Sequence, residues 1–504
     1  MFGFDPTLIT FTIYIFGMLL IGVLAYYYTN NLSDYILGGR RLGSFVTAMS
    51  AGASDMSGWL LMGLPGAVYL SGLVEGWIAI GLIIGAYFNW RLVAGRLRVY
   101  TEFNHNALTL PEYFHHRFGA ENKGLKILSA SIILVFFTIY CASGVVAGAK
   151  LFQNLFSMEY STALWFGAAA TIAYTFIGGF LAVSWTDTIQ ATLMIFALIL
   201  TPIFVLFSLG DLNQFSLALT QAELAANKNF TQLFNGTTAI GLLSLAAWGL
   251  GYFGQPHILA RFMAAYSVKS LIKARQISMT WMILCLAGAI GIGFFAIPYF
   301  FANPDIAGTV NHEPEQVFIE LAKLLFNPWI SGILLSAILA AVMSTLSAQL
   351  LISSSSITED FYKGFIRPKA SEKELVWLGR AMVLVIAAIA IWIAQDENNK
   401  VLKLVEFAWA GFGSAFGPVI LFSLFWRRMT ASAAMAGMII GALTVFSWKA
   451  LIPAENPWFK LYEMIPGFAL SSLTIVIVSL LSAKPKAQIL DTFNQAEKAY
   501  KEAK

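Results

Sequence analysis

The sequence predicts an all-α polytopic membrane protein with about thirteen transmembrane helices. Of its 504 residues, 58% are hydrophobic and only 12% are charged, whereas a soluble domain carries about 25% charged residues. The apolar residues also fall into thirteen runs, each long enough for a bilayer crossing of about 20 residues. A water-soluble class is therefore excluded. The net charge of +4 is a weak signal in total, because nucleic-acid binding would need a clustered basic face.

The runs stand out in a hydropathy window of about 19 residues. They cover 7–28, 45–72, 75–97, 126–150, 161–182, 188–209, 238–260, 277–301, 329–357, 376–394, 402–426, 430–452 and 463–483. The first run follows Asp5 and Pro6 rather than a basic region, so we expect it to remain as a helix. The chain is thus interpreted as one transmembrane domain, 1–483, followed by a short solvated tail, 484–504. Cys141 and Cys285 lie inside apolar runs and are predicted to be small buried side chains.

The distribution of basic residues predicts the orientation. With thirteen crossings the two termini lie on opposite sides of the membrane. If the first loop is cytoplasmic, 24 of the 31 lysines and arginines fall on cytoplasmic segments. The positive-inside rule then places the N-terminus outside and the C-terminus, with its tail, in the cytoplasm.

The middle of the second run contains polar residues and helix breakers at membrane depth. Residues 51–59 place Ser54, Asp55 and Ser57 among glycines. An aspartate at a helix centre costs about 2.5–3.5 kcal/mol on insertion scales, so it is seldom used for packing alone. We expect the helix to unwind here and to expose carbonyls for a small cation and helix ends for a charged substrate. The alternative is a kinked helix in which Asp55 only hydrogen-bonds a neighbour.

A second break is predicted in the seventh run, where Gly249, Gly251, Gly254 and Pro256 stand among aromatic residues. Broken helices at corresponding positions of two halves are typical of inverted-repeat transporters. The halves are spans 2–6, about 44–209, and spans 7–11, about 238–426. Because five is odd, the two copies begin on opposite sides of the membrane. The alternative is that the glycines only allow close helix packing.

The ninth run carries adjacent hydroxyls at Ser344 and Thr345, followed by four serines at 353–356. Hydroxyl and carbonyl oxygens suit hard cations, and a neutral set of oxygens favours a monovalent ion. The alternative is that these hydroxyls bond carbonyls of their own helix. Together with the break at Asp55, the pair indicates a cation site.

Several segments resemble the sodium/solute symporter family, above all its proline-transporting branch. They are GGRR at 38–41, SDMSGW at 54–59, LTLPEYF at 108–114, GGFLAVSWTDTIQ at 178–190, WGLGYFGQP at 248–256, and MSTLS at 343–347 with ITED at 357–360. The resemblance implies a LeuT-like fold, named after a bacterial leucine transporter: a 5+5 inverted repeat with one extra N-terminal and two extra C-terminal helices. It also implies sodium-coupled uptake of L-proline by alternating access in the bacterial cytoplasmic (inner) membrane. L-proline, sodium as the coupling ion and the lipid bilayer are the expected partners, and no cofactor is expected.

The resemblance further implies roles for individual residues. Sodium would be bound by the carbonyls of Ala53, Met56 and Ala341 and by the hydroxyls of Ser344 and Thr345. Sodium use and coupling would depend on Asp55, Arg40 and Asp187. Proline would lie near Ser57, Trp59, Tyr140, Trp248, Tyr252 and Pro256. The alternative for the aromatic residues is ordinary packing within the helix bundle.

Other functions stay open beside proline uptake. A sodium symporter of the same family could carry another small solute, such as pantothenate, a sugar or a carboxylate. A proton-coupled amino-acid transporter would use Asp55 as the proton carrier. We do not expect an enzyme, because the five histidines lack the His-Glu-x-x-His spacing and the chain has no Gly-x-Ser-x-Gly motif or phosphate-binding loop.

Overall fold

The computed structural model describes residues 5–28, 31–119, 123–234 and 237–504, and its regular elements in these ranges are helices. The helices of the first half are α1 Pro6–Tyr27, α2 Leu32–Leu37, α3 Ser44–Asp55, α4 Leu64–Ser71, α5 Gly76–Phe88, α6 Gly95–Phe103, α7 Leu110–Arg117, α8 Gly124–Phe156, α9 Tyr160–Ser208 and α10 Leu212–Ala226. Those of the second half are α11 Ala239–Ala246, α12 Pro256–Ala264, α13 Val268–Ala302, α14 Gly308–His312, α15 Val317–Leu325, α16 Pro328–Ser355, α17 Glu372–Ile393, α18 Val401–Phe425, α19 Ala431–Leu451, α20 Met464–Leu481 and α21 Ala487–Ala503.

Ten helical segments of the described residues are long and apolar enough to cross a membrane. The predicted class, an all-helical multi-pass membrane protein, is therefore confirmed. Several predicted runs match helices to within a few residues: 402–426 corresponds to α18, 430–452 to α19 and 463–483 to α20. Both cysteines are buried and unpaired, as the apolar runs around them indicate.

Two helices are broken where the sequence predicts it. α3 ends at Asp55 because Met56 leaves the helical conformation, with φ −83° and ψ 81°. A π-helical turn, Trp59–Gly63, then leads into α4. In the second half, a 3-10 turn, Ala247–Gly254, and the extended residue Gln255 separate α11 from α12. We call α3–α4 the first broken helix and α11–α12 the second broken helix.

The second broken helix lies close to α18. A Cβ atom at Gly251 would overlap the indole ring of Trp409 on α18. Only glycine leaves room for this approach of the backbone. The 3-10 turn also packs against α5, while α3 packs against α9, α13 and α16. The two breaks are thus enclosed by helices of both halves.

The break between the fifth and sixth predicted runs lies elsewhere than expected. The runs 161–182 and 188–209 leave 183–187 as a loop, but the chain turns at Gly179, with φ 63° and ψ −160°. Residues 183–187 are helical and belong to the segment Gly179–Ser208. The stretch from Ser184 to Asp187 resembles a loop in the sequence because it is polar and because the buried partner of Asp187 lies far away in the chain.

The expectation of a solvated tail is wrong. Residues 487–503 form α21, which packs against α6 and buries Phe493, Ala496 and Tyr500. Glu497 of this helix pairs with Arg96 and accepts a hydrogen bond of 3.1 Å from the Tyr100 hydroxyl. Apolar contacts and one ion pair therefore hold the tail against the bundle.

Candidate functional site

Four oxygen atoms meet where α3 ends against α16. The Ala53 carbonyl accepts hydrogen bonds from Ser344 Oγ at 2.8 Å and Thr345 Oγ1 at 3.2 Å. Ser344 Oγ also lies 3.1 Å from the Ala341 carbonyl. The Ala53 carbonyl is available because the backbone N–H four residues later, on Ser57, donates instead to the backbone carbonyl of Asp55. The break in the first helix thus supplies the acceptor that the two hydroxyls meet.

This cluster has the chemistry of a monovalent cation site. All four oxygens are neutral and buried, and hard cations prefer such ligands. A hydroxyl can rotate and present a lone pair in place of its hydrogen, so Ser344 and Thr345 could bind a cation without moving their oxygens far. Met56, three residues after Ala53, is buried at the point where the chain leaves α3.

Asp55 connects the two broken helices. The Tyr252 hydroxyl, on the second broken helix, donates a hydrogen bond to Asp55 Oδ2. The other carboxylate oxygen, Oδ1, has no hydrogen-bond partner among the described residues, although Asp55 is only 3% exposed. The Asp55 carbonyl accepts a hydrogen bond of 3.2 Å from the Trp59 indole. The residue therefore bridges the breaks rather than belonging to the four-oxygen cluster.

Aromatic rings line the region between the breaks. The rings of Trp59 and Trp248 lie 6.3 Å apart between centres, and Tyr462 stacks on Trp248 at 5.7 Å. Trp409 lies nearly perpendicular to Tyr252 at 5.2 Å and donates a hydrogen bond of 2.8 Å to the Trp248 carbonyl. Sequence reasoning missed Trp409 and Tyr462. A tryptophan among the alanines and glycines of α18 was the only local signal.

Several buried polar groups near Tyr140 lack a partner among the described residues. The Tyr140 hydroxyl lies beside Ser57 and Trp59 but makes no hydrogen bond of good geometry. Both ring nitrogens of His257 are also unpartnered, and its ring contacts Tyr140 at 6.0 Å. Buried polar groups are almost always hydrogen-bonded in native proteins, so these groups indicate a place for a polar ligand.

Two polar residues at the start of α12 were not anticipated. The Gln255 side chain donates to the Gly251 carbonyl at 3.1 Å, while its own oxygen is unpartnered in the described structure. His257 follows Pro256, which begins α12 and lines a cavity of about 20 Å³ with Leu110 and Ser355. A glutamine and a histidine inside an apolar run were the signal that could have identified them.

Asp187, on α9, belongs to a buried network that contacts the first broken helix. Ser50 donates to Asp187 Oδ2 at 2.6 Å, and Arg261 Nη2 lies 3.3 Å from the same oxygen. Arg261 also donates to Ser50 Oγ at 3.1 Å and to the His257 carbonyl at 3.0 Å. Asp187 on α9 thus ties α3 to α12, although it does not contact the four-oxygen cluster.

Arg40 occupies a different part of the molecule. It donates hydrogen bonds to Thr101 Oγ1 at 3.1 Å and to the carbonyls of Met263 and Ala107 at 2.7 and 2.8 Å. Burial, together with the nearby charge of Arg98, lowers the pKa of Arg40 to about 10, so the side chain stays charged near neutral pH. It anchors the end of α12 that is remote from the break.

The two ends of α8 mark two polar networks on opposite sides of the bundle. At one end, Lys126 pairs with Asp360 at 3.2 Å. At the other, Lys150 lies 3.3 Å from both Glu313 and Glu315. Glu315 also accepts hydrogen bonds of 3.1 Å from the first two backbone N–H groups of α18, which suits the positive end of a helix. Sequence reasoning did not single out this second network.

Comparison with known proteins places this geometry in context. The model of the sodium:solute symporter family matches residues 35–441. A sodium/proline symporter of Haemophilus influenzae is 85% identical over 504 residues and covers all of both chains. A sodium/proline symporter of Salmonella typhimurium is 63% identical over 99% of this chain and 97% of that protein. The solved structure of a Na+-coupled sialic acid symporter is 20% identical and matches 96% of this chain and all of its own with a TM-score of 0.81, a likeness of fold.

Proposed function

Because the chain belongs to the sodium:solute symporter family, we propose that it takes up L-proline together with sodium ions by alternating access. It is a transporter and not an enzyme. The observation that carries the mechanism is the meeting of the Ala53 carbonyl with the hydroxyls of Ser344 and Thr345 at the break of a membrane helix.

The proposal includes thirteen crossings in a LeuT-like arrangement. In this count, each broken helix is one crossing, and so is α5–α6. α9 makes two crossings, one on either side of Gly179. α1 precedes the 5+5 inverted repeat, and α19 and α20 follow it. The excess of lysine and arginine on one side supports an inner-membrane protein with its N-terminus outside and its C-terminus in the cytoplasm.

Sodium is proposed to bind the carbonyls of Ala53, Met56 and Ala341 and the hydroxyls of Ser344 and Thr345. The ion would replace the hydrogen bonds that now join α3 to α16 and would itself hold the two helices together. A positive charge at the end of α3 would also favour the ionised form of nearby Asp55. Asp55 in turn accepts the Tyr252 hydrogen bond, which offers a direct route from the ion to the second broken helix.

Proline is proposed to lie between the breaks, near Ser57, Trp59, Tyr140, Trp248, Tyr252 and Pro256. Flat aromatic walls suit the apolar pyrrolidine ring, while a few convergent polar groups fix the charged end of the ligand. The unpartnered Tyr140 hydroxyl and His257 ring provide such groups. Asp187 and Arg40 are proposed to act at a distance, by holding α12 in place.

The driving force is sufficient for uptake without ATP. One sodium ion crossing 100 mV provides about 2.3 kcal/mol, and a tenfold sodium gradient adds about 1.4 kcal/mol. Together these support a proline accumulation of roughly a few hundredfold. Coupling requires only that each ligand bind more tightly in the state that the other one favours.

The test is uptake of radiolabelled proline into proteoliposomes with an inward sodium gradient, against an equal potassium gradient at the same pH. We expect accumulation only with sodium. Competition by unlabelled pantothenate, sugars or carboxylates would identify another solute. Uptake that follows a proton gradient in the absence of sodium would contradict sodium coupling.

A further inference from the structure

The packed tail helix forms one wall of a basic cavity. The cavity has a volume of about 230 Å³ and lies between α21, the start of α13 and the π-helical turn Asn89–Ala94 that joins α5 to α6. Arg91, Arg275 and Lys504 line it, together with Trp90 and Tyr500, and its described lining contains no acidic side chain. The two guanidinium groups, in a lining without acidic side chains, favour an anionic ligand.

The two arginines lie near the same tyrosine ring. Arg91 donates a hydrogen bond of 2.9 Å to the Tyr87 hydroxyl, and its guanidinium carbon lies 6.0 Å from the centre of that ring. The guanidinium carbon of Arg275 lies 5.8 Å from the same centre, so the two groups are no more than about 12 Å apart. Guanidinium groups present paired donors that fit phosphate oxygens, and both of these groups line the same cavity.

No acidic side chain of the described residues pairs with these charges. The neighbouring Arg96 and Arg98 pair with Glu497 and Glu102. Arg91, Arg275 and Lys504, in contrast, form no ion pair with any described residue. Two further lysines, Lys269 and Lys273, are exposed on the first turns of α13, so the positive charge extends around the opening of the cavity.

An apolar face of α5 leads away from the cavity. Phe88 and Ile84 precede Arg91 by three and seven residues, which places them on the same side of the helix. Both are open to the surroundings of the bundle, with Phe88 45% and Ile84 53% exposed. Trp90 and Tyr500 add amphipathic rings of the kind enriched at membrane interfaces. A ligand with a charged head and apolar chains would match both parts of this surface.

We propose that the cavity binds the phosphate headgroup of an anionic phospholipid, whose acyl chains lie along Phe88 and Ile84. Basic pockets between membrane helices are suited to such headgroups. The bound phosphate would bridge the turn after α5, the start of α13 and the end of α21. The lipid would thereby strengthen the docking of the tail helix, in which the Tyr500 ring already stacks under the Arg96 guanidinium at 4.9 Å.

The test measures lipid binding to the purified full chain by native mass spectrometry. The probes are phosphatidylglycerol, phosphatidylcholine of the same chain length, and inorganic phosphate. The variant R91Q/R275Q removes both guanidinium groups. The matched control K369Q/K373Q removes two exposed lysines between the π-helical segment Ser356–Ile366 and the start of α17. We expect phosphatidylglycerol to bind at least tenfold more tightly than phosphatidylcholine, and R91Q/R275Q to remove this preference while the control keeps it.

Three results would overturn the proposal. They are equal binding of the two lipids, loss of the preference in the control to the same extent, and binding of inorganic phosphate as tight as that of phosphatidylglycerol, which would indicate a site for free phosphate. Thermal unfolding without added lipid shows whether each variant is folded. Should the double variant fail this check, R91Q alone serves, because Arg91 is exposed and its described side-chain hydrogen bond goes only to the nearby Tyr87 hydroxyl.

Discussion

The hydroxyl of Tyr252 on the second broken helix donates a hydrogen bond to the carboxylate of Asp55 at the end of α3. This bond joins the two interruptions directly, and it does so two residues away from the carbonyl that faces Ser344 and Thr345. A movement of the four-oxygen cluster can therefore reach Tyr252 through two residues of backbone and one hydrogen bond. We expect this bond to link sodium binding to proline binding.

The first prediction tests that bond with Tyr252→Phe, which removes the hydroxyl and keeps the ring. A hydrogen bond to a charged group contributes about 1.5–3 kcal/mol, so the sodium concentration for half-maximal uptake should rise about tenfold or more. The matched control is Tyr160→Phe, whose hydroxyl bonds the Ala394 carbonyl at 2.8 Å and lies outside the proposed site. An equal change in both variants would show that the Tyr252 bond has no particular role in coupling.

The second prediction concerns the proposed ion ligands. Thr345→Ala removes one hydroxyl from the cluster and should raise the sodium requirement about tenfold, whereas Thr345→Ser should stay close to the wild type. Ser336→Ala is the control on the same helix, because the Ser336 hydroxyl bonds the Gly332 carbonyl of its own turn at 2.8 Å. Unchanged sodium dependence in Thr345→Ala, measured as uptake against sodium concentration, would remove Thr345 from the site.

The third prediction concerns the aromatic wall. Trp248→Ala removes a ring that contacts both Trp59 and Tyr462, so proline binding at saturating sodium should weaken about tenfold while the sodium requirement changes little. The control for loss of a tryptophan is Trp392→Ala, because the Trp392 side chain on α17 is 70% exposed. If Trp248→Ala only lowers the amount of folded protein and leaves the KM for proline unchanged, the ring serves packing.

The breaks, the hydroxyl pair and most helix bounds could be predicted because each has a local signal. Glycine, proline and aspartate are conspicuous inside apolar runs, and helix length follows from the bilayer. Trp409, Gln255 and His257 stand out locally only as unusual residues inside apolar runs, and the sequence does not show their role because that role depends on which helix approaches the break. That approach is set by packing between segments far apart in the chain.

The two errors have a common cause. Residues 183–187 look like a loop because Asp187 is charged, yet its partner Arg261 is 74 residues away and makes a buried helical position possible. The tail looks solvated because it is rich in charge, but its apolar face packs on α6 through Phe493 and Tyr500. In both cases a tertiary contact outweighs local composition.

The fourth prediction is a pH dependence at the network around Glu313. Burial alone would raise its pKa, but the bond to Lys400 and the charge of Lys150 hold the pKa of Glu313 below the ordinary value of 4.5. The ionised group therefore stabilises the fold above pH 4.5, and this contribution is lost as the pH falls through the lowered pKa. Glu313→Gln should lower the melting temperature at pH 7, and the gap to the wild type should close below pH 4.5. The control is Glu455→Gln at an exposed position; a gap that stays constant with pH would contradict the prediction.

The last prediction concerns the buried pair of Asp187 and Arg261. Both side chains are fully buried, with Asp187 Oδ2 3.3 Å from Arg261 Nη2. Removing one partner of a buried ion pair leaves an uncompensated charge and costs about 3–5 kcal/mol, whereas replacing both by apolar residues is often neutral. Asp187→Leu and Arg261→Met should therefore each destabilise the protein strongly, and the double variant should recover most of the loss.

Thermal unfolding of the four proteins of this cycle measures the coupling between the two residues. Because Asp187 also accepts the Ser50 hydrogen bond on α3, the stable double variant separates stability from transport. If the pair only stabilises the fold, sodium-dependent uptake returns with the melting temperature. If it also holds α3 and α12 in the arrangement that couples ion to solute, the double variant is stable but needs more sodium for uptake. If the double variant instead loses as much stability as the two single variants together, the two charges do not depend on each other.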